Sequence, residues 1–393
     1  MIEFEPSCVK TTPDPEQIMT LYISAKQTLD SFLRKGVKEY TKSRNFDFGT
    51  ENRGNVSRLS PFISHRLILE YDVIKNALAL YPFEKIEKFI EEIFWGVYWR
   101  GWLEQRPSVW ESFKNYPEPL KSDPAYARAV NGGTGIDCFD HWVEELKTDN
   151  YLHNHARMWF ASIWVFTLKL PWQWGARFFL EHLLDGSSAS NTLSWRWVAG
   201  IQTKGKTYLA RPSNIHKYSA MRFLPEGLAE YAPPIEDDAF HLISPLPSEH
   251  TIKKTSDTLI VCDTDLCFRD RGSLFESYEK ILVLSLENES REVKLASNVS
   301  NFKKNALLDF SQKFDNASIL KSTNFLSGIG NTKKFDVVYP FIGENVDFLT
   351  DIETAGDIQL SYLVREEDLF AWQFAKKGFF NFKKNIKQIV SRL

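Results

Sequence analysis

The sequence predicts an all-α N-terminal region followed by a smaller α/β region with a parallel sheet. Three observations carry that expectation. Apolar residues recur at helical spacing up to about residue 230, with no convincing strand pattern among them. A proline-bearing segment, 231–255, then breaks the pattern. Beyond it, short apolar runs ending in turn-forming residues alternate with helical stretches, as buried parallel strands and their crossovers do.

Helical periodicity is clear over 15–42 and 62–105, with Pro61 and Pro107 beside the expected boundaries. Residues 136–149, 151–169 and 172–185 read as three further helices; Pro171 separates the last two, and Asp185-Gly186-Ser187-Ser188 ends the third. A shorter helix covers 190–202 and gives way to a polar loop. Pro233, Pro234, Pro245 and Pro247 mark 231–255 as an ordered, extended linker. Strands are expected at Thr258–Asp263, Lys280–Leu286 and Phe335–Pro340, with helices at 299–313, 343–353 and 366–376. The residues after the first strand, CDTDLCFRD, lack the glycines that let a backbone approach a pyrophosphate, so no dinucleotide site is expected there. The domains so read are 1–230, 231–255 and 256–393.

With 393 residues, 43% hydrophobic and 25% charged, the chain has the composition of an ordinary globular protein with room for two domains. The N-terminus, MIEFEPSCVKTTPDPEQ, places acids and prolines where a signal peptide has basic and then apolar residues. No run of about 18 apolar residues is present, which argues against a membrane span. Cys8, Cys138, Cys262 and Cys267 have neither ligand spacing nor partner histidines, so they read as free thiols; no metal site and a cytoplasmic location are expected. The net charge of −3 decides nothing about nucleic acid, which needs a local basic surface. Lys376, Lys377, Lys383, Lys384, Lys387 and Arg392 form such a run; they read either as the solvated face of a final helix that turns Phe379, Phe380, Phe382, Ile386 and Ile389 inward, or as a phosphate-contacting surface.

Residues 134–200 are the most informative stretch. Trp residues crowd there beside a few polar groups, His153, Asn154, Arg157, Asp185 and Asn191, with Trp195 and Trp197 following. Each indole N–H needs a partner, so an ordinary core uses few of them. Dense Trp with isolated Asn, Arg and Asp points to a helical pocket for a flat aromatic ligand.

The order and spacing of these groups resemble the flavin-binding domain of the DNA photolyase/cryptochrome family, from about Tyr40 to Tyr218. Tyr40, Arg44 and the run Ser57-Arg58-Leu59-Ser60-Pro61 resemble the family's phosphate-binding segment, where hydroxyls and backbone N–H groups suit a pyrophosphate. Glu91 through Arg100 resembles the helix that lines both flavin and substrate pockets, with Phe89 on the cofactor side. The resemblance implies that Glu92 hydrogen-bonds the edge of a damaged base and that Trp95 stacks on it. In Leu152-His153-Asn154-His155-Ala156-Arg157-Met158, it implies an amide near the flavin at Asn154, an Arg157–Asp185 ion pair beside the isoalloxazine, and a lesion contact at Met158. Asn154 and Met158, rather than two histidines, favour cyclobutane dimers over (6-4) photoproducts. Asn191 matches the amide facing flavin N5, typical of photolyases. Trp195 and Trp172 match two members of an electron-transfer chain, with Trp110 as the surface member, and Trp197 matches an indole across the lesion pocket from Trp95.

Three positions depart from the family pattern: Gly96 stands for an Arg, Ser187 for an Asp that contacts the flavin, and His155 for an Arg that holds DNA phosphate, which makes affinity lower or pH-dependent. Family members normally begin with an α/β domain, whereas here the Rossmann-like α/β part comes last, so a permuted arrangement is expected in which 256–393 packs where that domain usually sits. The resemblance implies FAD as cofactor, UV-damaged DNA as partner, a monomer, and light-driven splitting of pyrimidine dimers by an electron from the excited reduced flavin to a flipped-out lesion. Burial in an apolar pocket should raise the pKa of Glu92. The alternatives are a cryptochrome-like blue-light sensor without repair, and (6-4) or single-strand-restricted repair.

Overall fold

The structure, a computed structural model, describes residues 20–120, 122–236, 242–246, 254–269 and 271–393. Cys8, the start of the 15–42 helix and parts of the expected linker lie outside the described residues. Helices occupy the first part as expected: Leu21–Lys35, Glu70–Leu80, Phe83–Glu104, Asp137–Asp149, Asn154–Ser162, Trp172–His182 and Ser188–Val198. The stretch read as one helix over 151–169 ends in a π-helical turn, Ile163–Thr167. Three helices escape the periodicity: Pro107–Lys114, Pro124–Val130 and Pro212–Tyr218. Each starts at a proline and runs eight residues or fewer, too short for a repeating apolar face to show.

The α/β part holds five strands, β1 (Thr258–Val261), β2 (Lys280–Ser285), β3 (Ala317–Lys321), β4 (Lys334–Val338) and β5 (Gln359–Leu363), all parallel in the order β3-β2-β1-β4-β5. The central strands are apolar on both faces: Leu259, Val261, Ile281 and Val283 pack against Ala306, Leu307 and Phe310, while Ile260, Leu282 and Val337 pack against Leu349 and Ile352. The two unexpected strands are the edges. Their sequences, ASILK and QLSYL, mix polar and apolar residues because an edge is only partly covered.

The C-terminal residues return to the helical core. Trp372, Phe379, Phe382, Ile386 and Ile389 join the same apolar cluster as Phe94 and Tyr98. Gly101 permits it, since a Cβ there would lie 2.3 Å from the Trp372 indole. Phe380, expected to point inward, is 79% exposed, because two short helices, Phe379–Lys383 and Ile386–Val390, replace the single one expected. The basic run is partly engaged by acids of the Phe83–Glu104 helix: Lys383 pairs with Glu91 at 2.5 Å and Lys387 with Glu84 at 3.4 Å. Neither lysine is thus wholly free for phosphate.

A buried ionic network joins the two parts. Arg66 donates to both carboxylate oxygens of Asp368 (2.6 and 2.7 Å), to Asp265 (3.3 Å) and to Glu70 (3.2 Å). Arg365 holds Asp265 at 2.7 and 2.9 Å, and Arg100 pairs with Glu70. Nearby, Glu104 accepts from the Tyr339 hydroxyl (2.6 Å) and the Ile342 N–H (2.9 Å) on the loop after β4. Burial pushes its carboxyl up from 4.5 to about 7, against the pull of those two donors. The folded-state value lies above the unfolded one, so this stabilisation is full below pH 4.5 and is lost as pH rises through about 7. Glu104→Gln is therefore expected to be the more stable form at pH 8, by up to roughly 3 kcal/mol, and close to the parent at pH 4. Urea titrations at the two pH values check this; equal differences at both would show that Glu104 is ionised throughout.

Among the described residues no helix is long and apolar enough to cross a membrane. Cys138, Cys262 and Cys267 are buried, and burial pushes the Cys138 thiol up to about 12.

Candidate FAD and substrate cavity

A cavity of about 660 Å³ opens in the helical part, within the size range of cofactor sites. Its walls come from the helices Phe83–Glu104, Asn154–Ser162 and Ser188–Val198, together with the segment around 40–64 and the turn 183–187. The 83–104 helix supplies Phe89, Glu92 and Trp95 from one face, at the spacing that brings side chains together. The next wall supplies Asn154, His155, Arg157 and Met158, and the third Asp185, Ser187, Asn191, Trp195 and Trp197. Tyr40, Ser57 and Ser60 close the remaining side.

Four expected site residues lie elsewhere. Arg58 is exposed with a left-handed backbone (φ 54°), and Leu59 beside it is buried in the core. Trp172, read as a member of an electron-transfer chain, stacks on Phe113 at 5.8 Å and is not in the cavity wall. Trp110, expected at the surface, is only 2% exposed, and its N–H is donated to Asp347 at 2.8 Å. It sits where the helical part meets the C-terminal ends of the strands, which hides an indole that the sequence leaves unplaced.

At the centre, Arg157 and Asp185 form a two-pronged ion pair (3.0 and 2.9 Å), and Arg157 also donates to the Leu152 carbonyl at 2.9 Å. Burial works against the Arg157 charge, but the Asp185 carboxylate more than restores it. Asn191 is oriented by donating its Nδ2 to the Ala176 carbonyl at 2.8 Å, which leaves the carbonyl end of the amide for a ligand. The Trp195 N–H is buried against the cavity and finds no partner among the described residues. An orphaned donor beside a fixed amide and a fixed ion pair fits a flat heteroaromatic ring with its own acceptors. Ser187 caps the Ser188–Val198 helix by accepting from the Ser190 N–H at 3.2 Å, so its hydroxyl serves the helix start at the place where the resemblance leads one to expect an acid.

The mouth is more occupied than the sequence suggests. Glu92 pairs with Arg44 at 2.5 Å, with about a quarter of each side chain exposed. Burial raises the Glu92 carboxyl, Arg44 lowers it, and the net direction is upward, as expected. Trp95 is stacked face to face on Phe379, with ring centroids 3.6 Å apart, so one face of its indole is already taken. Trp197 lies over Tyr208 at 5.8 Å. His155 bonds the Asn45 carbonyl at 2.8 Å and stacks on Trp159. Burial lowers its pKa, so it is a neutral, tethered ring at neutral pH, and the expected cationic phosphate contact would need acid.

Trp99 and Arg100, which the sequence reading places in the lining helix without a role of their own, are among the lining residues. The signal was available: Arg100 lies one turn after Gly96 on the same face and brings a guanidinium back to the wall where Gly96 lacks one. A Cβ at Gly96 would meet nothing within 4 Å. Gly96→Ala is therefore expected to raise stability by about 1 kcal/mol through helix propensity alone, which a urea midpoint measures; a loss would mean that the helix backbone is approached there.

Residues 89–233 match the model of the FAD binding domain of DNA photolyase. Curated relatives include a deoxyribodipyrimidine photo-lyase of Streptomyces griseus, 32% identical over 149 residues (37% of this chain, 32% of that protein). That of Escherichia coli K12 is 28% identical over 192 residues (46% of this chain, 39% of that protein). The chain thus spans only about a third to two fifths of the length of these relatives. A class III photolyase structure from Agrobacterium tumefaciens is 24% identical with a TM-score of 0.44, covering 51% of this chain and 42% of that one. Over residues 89–233 the helical region of this chain is thus similar to the FAD-binding domain of DNA photolyases.

Proposed function

We propose that the chain is a light-dependent photolyase acting on cyclobutane pyrimidine dimers in DNA, as a monomer in the cytoplasm. The observation that carries this reading is the convergence of two sets of groups on one cavity: Arg157–Asp185, Asn191 and the Trp195 N–H on its inner walls, and Glu92, Trp95, Met158 and Trp197 lining it as well. FAD would be held by the inner set, with Tyr40, Ser57 and Ser60 at its phosphates. When bound and reduced, FAD supplies under blue light the electron that splits the dimer. The chain's own part is to admit, orient and enclose. Trp95, Met158 and Trp197 present apolar surface to the two linked pyrimidines once they have left the stack, and damage makes that departure easier because pairing is already weakened. Glu92 meets the polar edge of the bases, its charge steadied by Arg44 until substrate arrives. Phosphate contacts dominate affinity on this reading, so binding falls with salt and is largely independent of sequence.

Glu92→Ala is expected to leave FAD bound while weakening discrimination of dimer over undamaged DNA about tenfold or more, since a hydrogen bond to a charged group is worth about 1.5–3 kcal/mol. Unchanged repair and binding would remove Glu92 from the substrate site. The whole reading is tested by repair of a defined thymine dimer in an oligonucleotide, with purified reduced protein, under blue light and in the dark. Light-dependent restoration of thymines supports it. A second reading, a blue-light sensor without repair, draws on the pairing of Glu92 with Arg44 and the stacking of Phe379 on Trp95, which leave both lesion-facing groups already engaged. No repair from a protein whose bound FAD is photoreducible would favour it.

A further inference from the structure

We propose that the outward side of the C-terminal segment, Phe380 with Lys376, Lys377 and Lys384, is a surface for the DNA strand beside the lesion. The ring stacks on an adjoining base and the three lysines meet the phosphates. The inference rests on reading the cavity as the place that receives a pyrimidine dimer.

The six basic residues of this segment divide into two sets. Lys383 pairs with Glu91 at 2.5 Å and reaches Glu87 at 3.6 Å, and Lys387 pairs with Glu84 at 3.4 Å. The Arg392 guanidinium covers the Phe370 ring at 3.7 Å. These three fasten the segment to the helices Phe83–Glu104 and Glu366–Trp372. Lys376, Lys377 and Lys384 are exposed and have no acidic partner among the described residues. The acids that the Phe83–Glu104 helix turns toward the segment are taken by the other set, so the outward side carries positive charge.

The aromatic residues divide in the same way. Phe379 and Phe382 are buried in the core, whereas Phe380 between them is 79% exposed, the most exposed large apolar side chain among the described residues. Lys384 follows it by four residues with its backbone still helical (φ −59°, ψ −21°), so ring and ammonium stand on one face. One ring is too small for a protein or membrane contact, which takes a contiguous apolar patch of about several hundred Å². An aromatic ring among unpaired cations is instead the combination that holds a nucleic-acid strand, since the cations follow the backbone and the ring takes a base.

This surface adjoins the mouth of the cavity. Phe379, the neighbour of Phe380 in the chain, stacks on Trp95 with ring centroids 3.6 Å apart and planes 11° from parallel, and Trp95 lines the cavity. A dimer entering across Trp95 brings the next nucleotides of its strand over the residues beside Phe379. Once the dimer has left the stack, the base next to it has lost a stacking face, and Phe380 supplies one.

The test is equilibrium binding, in the dark, of the full chain with FAD bound. Two fluorescent duplex oligonucleotides are compared that differ only by one thymine dimer, over a series of KCl concentrations. Lys384→Gln should reduce the slope of log K against log salt by about one on both DNAs. The triple change Lys376→Gln, Lys377→Gln, Lys384→Gln should reduce it by about three. Lys387→Gln removes the same charge from a lysine already paired with Glu84 and should leave the slope as it is. Phe380→Ala should weaken binding of the dimer DNA about tenfold, the order of one base–aromatic stack, with little change on undamaged DNA, and Phe380→Trp should restore it. Equal flavin content in all variants shows that each is folded. A parent-like slope in the triple variant, or as large a fall from Lys387→Gln as from Lys384→Gln, overturns the surface; a parent that still prefers dimer DNA then leaves the cavity reading standing. Equal losses on both DNAs in Phe380→Ala overturn the stack. Capture of the parent by phosphatidylserine vesicles without binding to either DNA gives the surface to lipid and overturns the proposal. A parent with no preference for dimer DNA overturns the cavity reading and the stack with it.

Discussion

Asp368→Ala is expected to lower the unfolding free energy by about 3–5 kcal/mol. Arg66 is fully buried, and with Arg100 and Arg365 it faces Glu70, Asp265 and Asp368, so three guanidinium groups balance three carboxylates out of contact with water. Removing one carboxylate leaves a positive charge uncompensated where water cannot screen it, and the Tyr71 hydroxyl also loses its acceptor at 3.0 Å. The Asp368 carboxyl is held below its usual range by Arg66 despite burial. Its stabilisation is therefore present above the ordinary carboxylate range and is lost as pH falls through the lowered value. The urea midpoint should drop with an unchanged slope; a loss under about 1 kcal/mol would mean that Arg66 is solvated in the variant. Since Asp368 lies beyond the sheet and Arg66 before it, the variant should also loosen the seating of the α/β part.

Asp185→Ala is expected to abolish retention of FAD through purification and to cost about 3 kcal/mol. Its carboxylate is the two-pronged partner of Arg157, and both line the cavity. Without it the guanidinium keeps only the Leu152 carbonyl and the Tyr151 ring at 5.3 Å. An unpaired cation in the wall would draw water or anions to a surface that now suits a neutral ring. Asp185→Asn restores an acceptor without the charge and should recover part of both losses. Flavin released on denaturation, measured against protein, checks the first, and thermal unfolding the second. Full flavin content in Asp185→Ala would place the isoalloxazine away from this pair.

The parts legible in sequence were those governed by local pattern. The long helices follow from apolar spacing, and the central strands, apolar on both faces, stand out as continuous runs. The edges β3 and β5 did not, since half-covered strands carry ordinary mixed sequence. Most expected cavity residues converge, because motif order along helices carries over directly to facing walls. What stayed hidden were relations across great sequence distance. Trp110 finds its acceptor 237 residues away, Arg66 finds Asp368 302 away, and the stacking of Phe379 on Trp95 has no local signature.

The return of residues 366–390 to the first core has a consequence for biosynthesis. Phe94, Trp95 and Tyr98 acquire their partners Phe379 and Phe382 only after the whole sheet has been made. At about 5–20 residues per second, the ribosome needs on the order of ten seconds to a minute between the two segments. Throughout that interval one wall of the cavity carries exposed aromatic surface, a target for chaperones and for aggregation. A nascent chain stalled after β5 should therefore be more chaperone-bound than the finished protein, and cofactor loading would come late in synthesis.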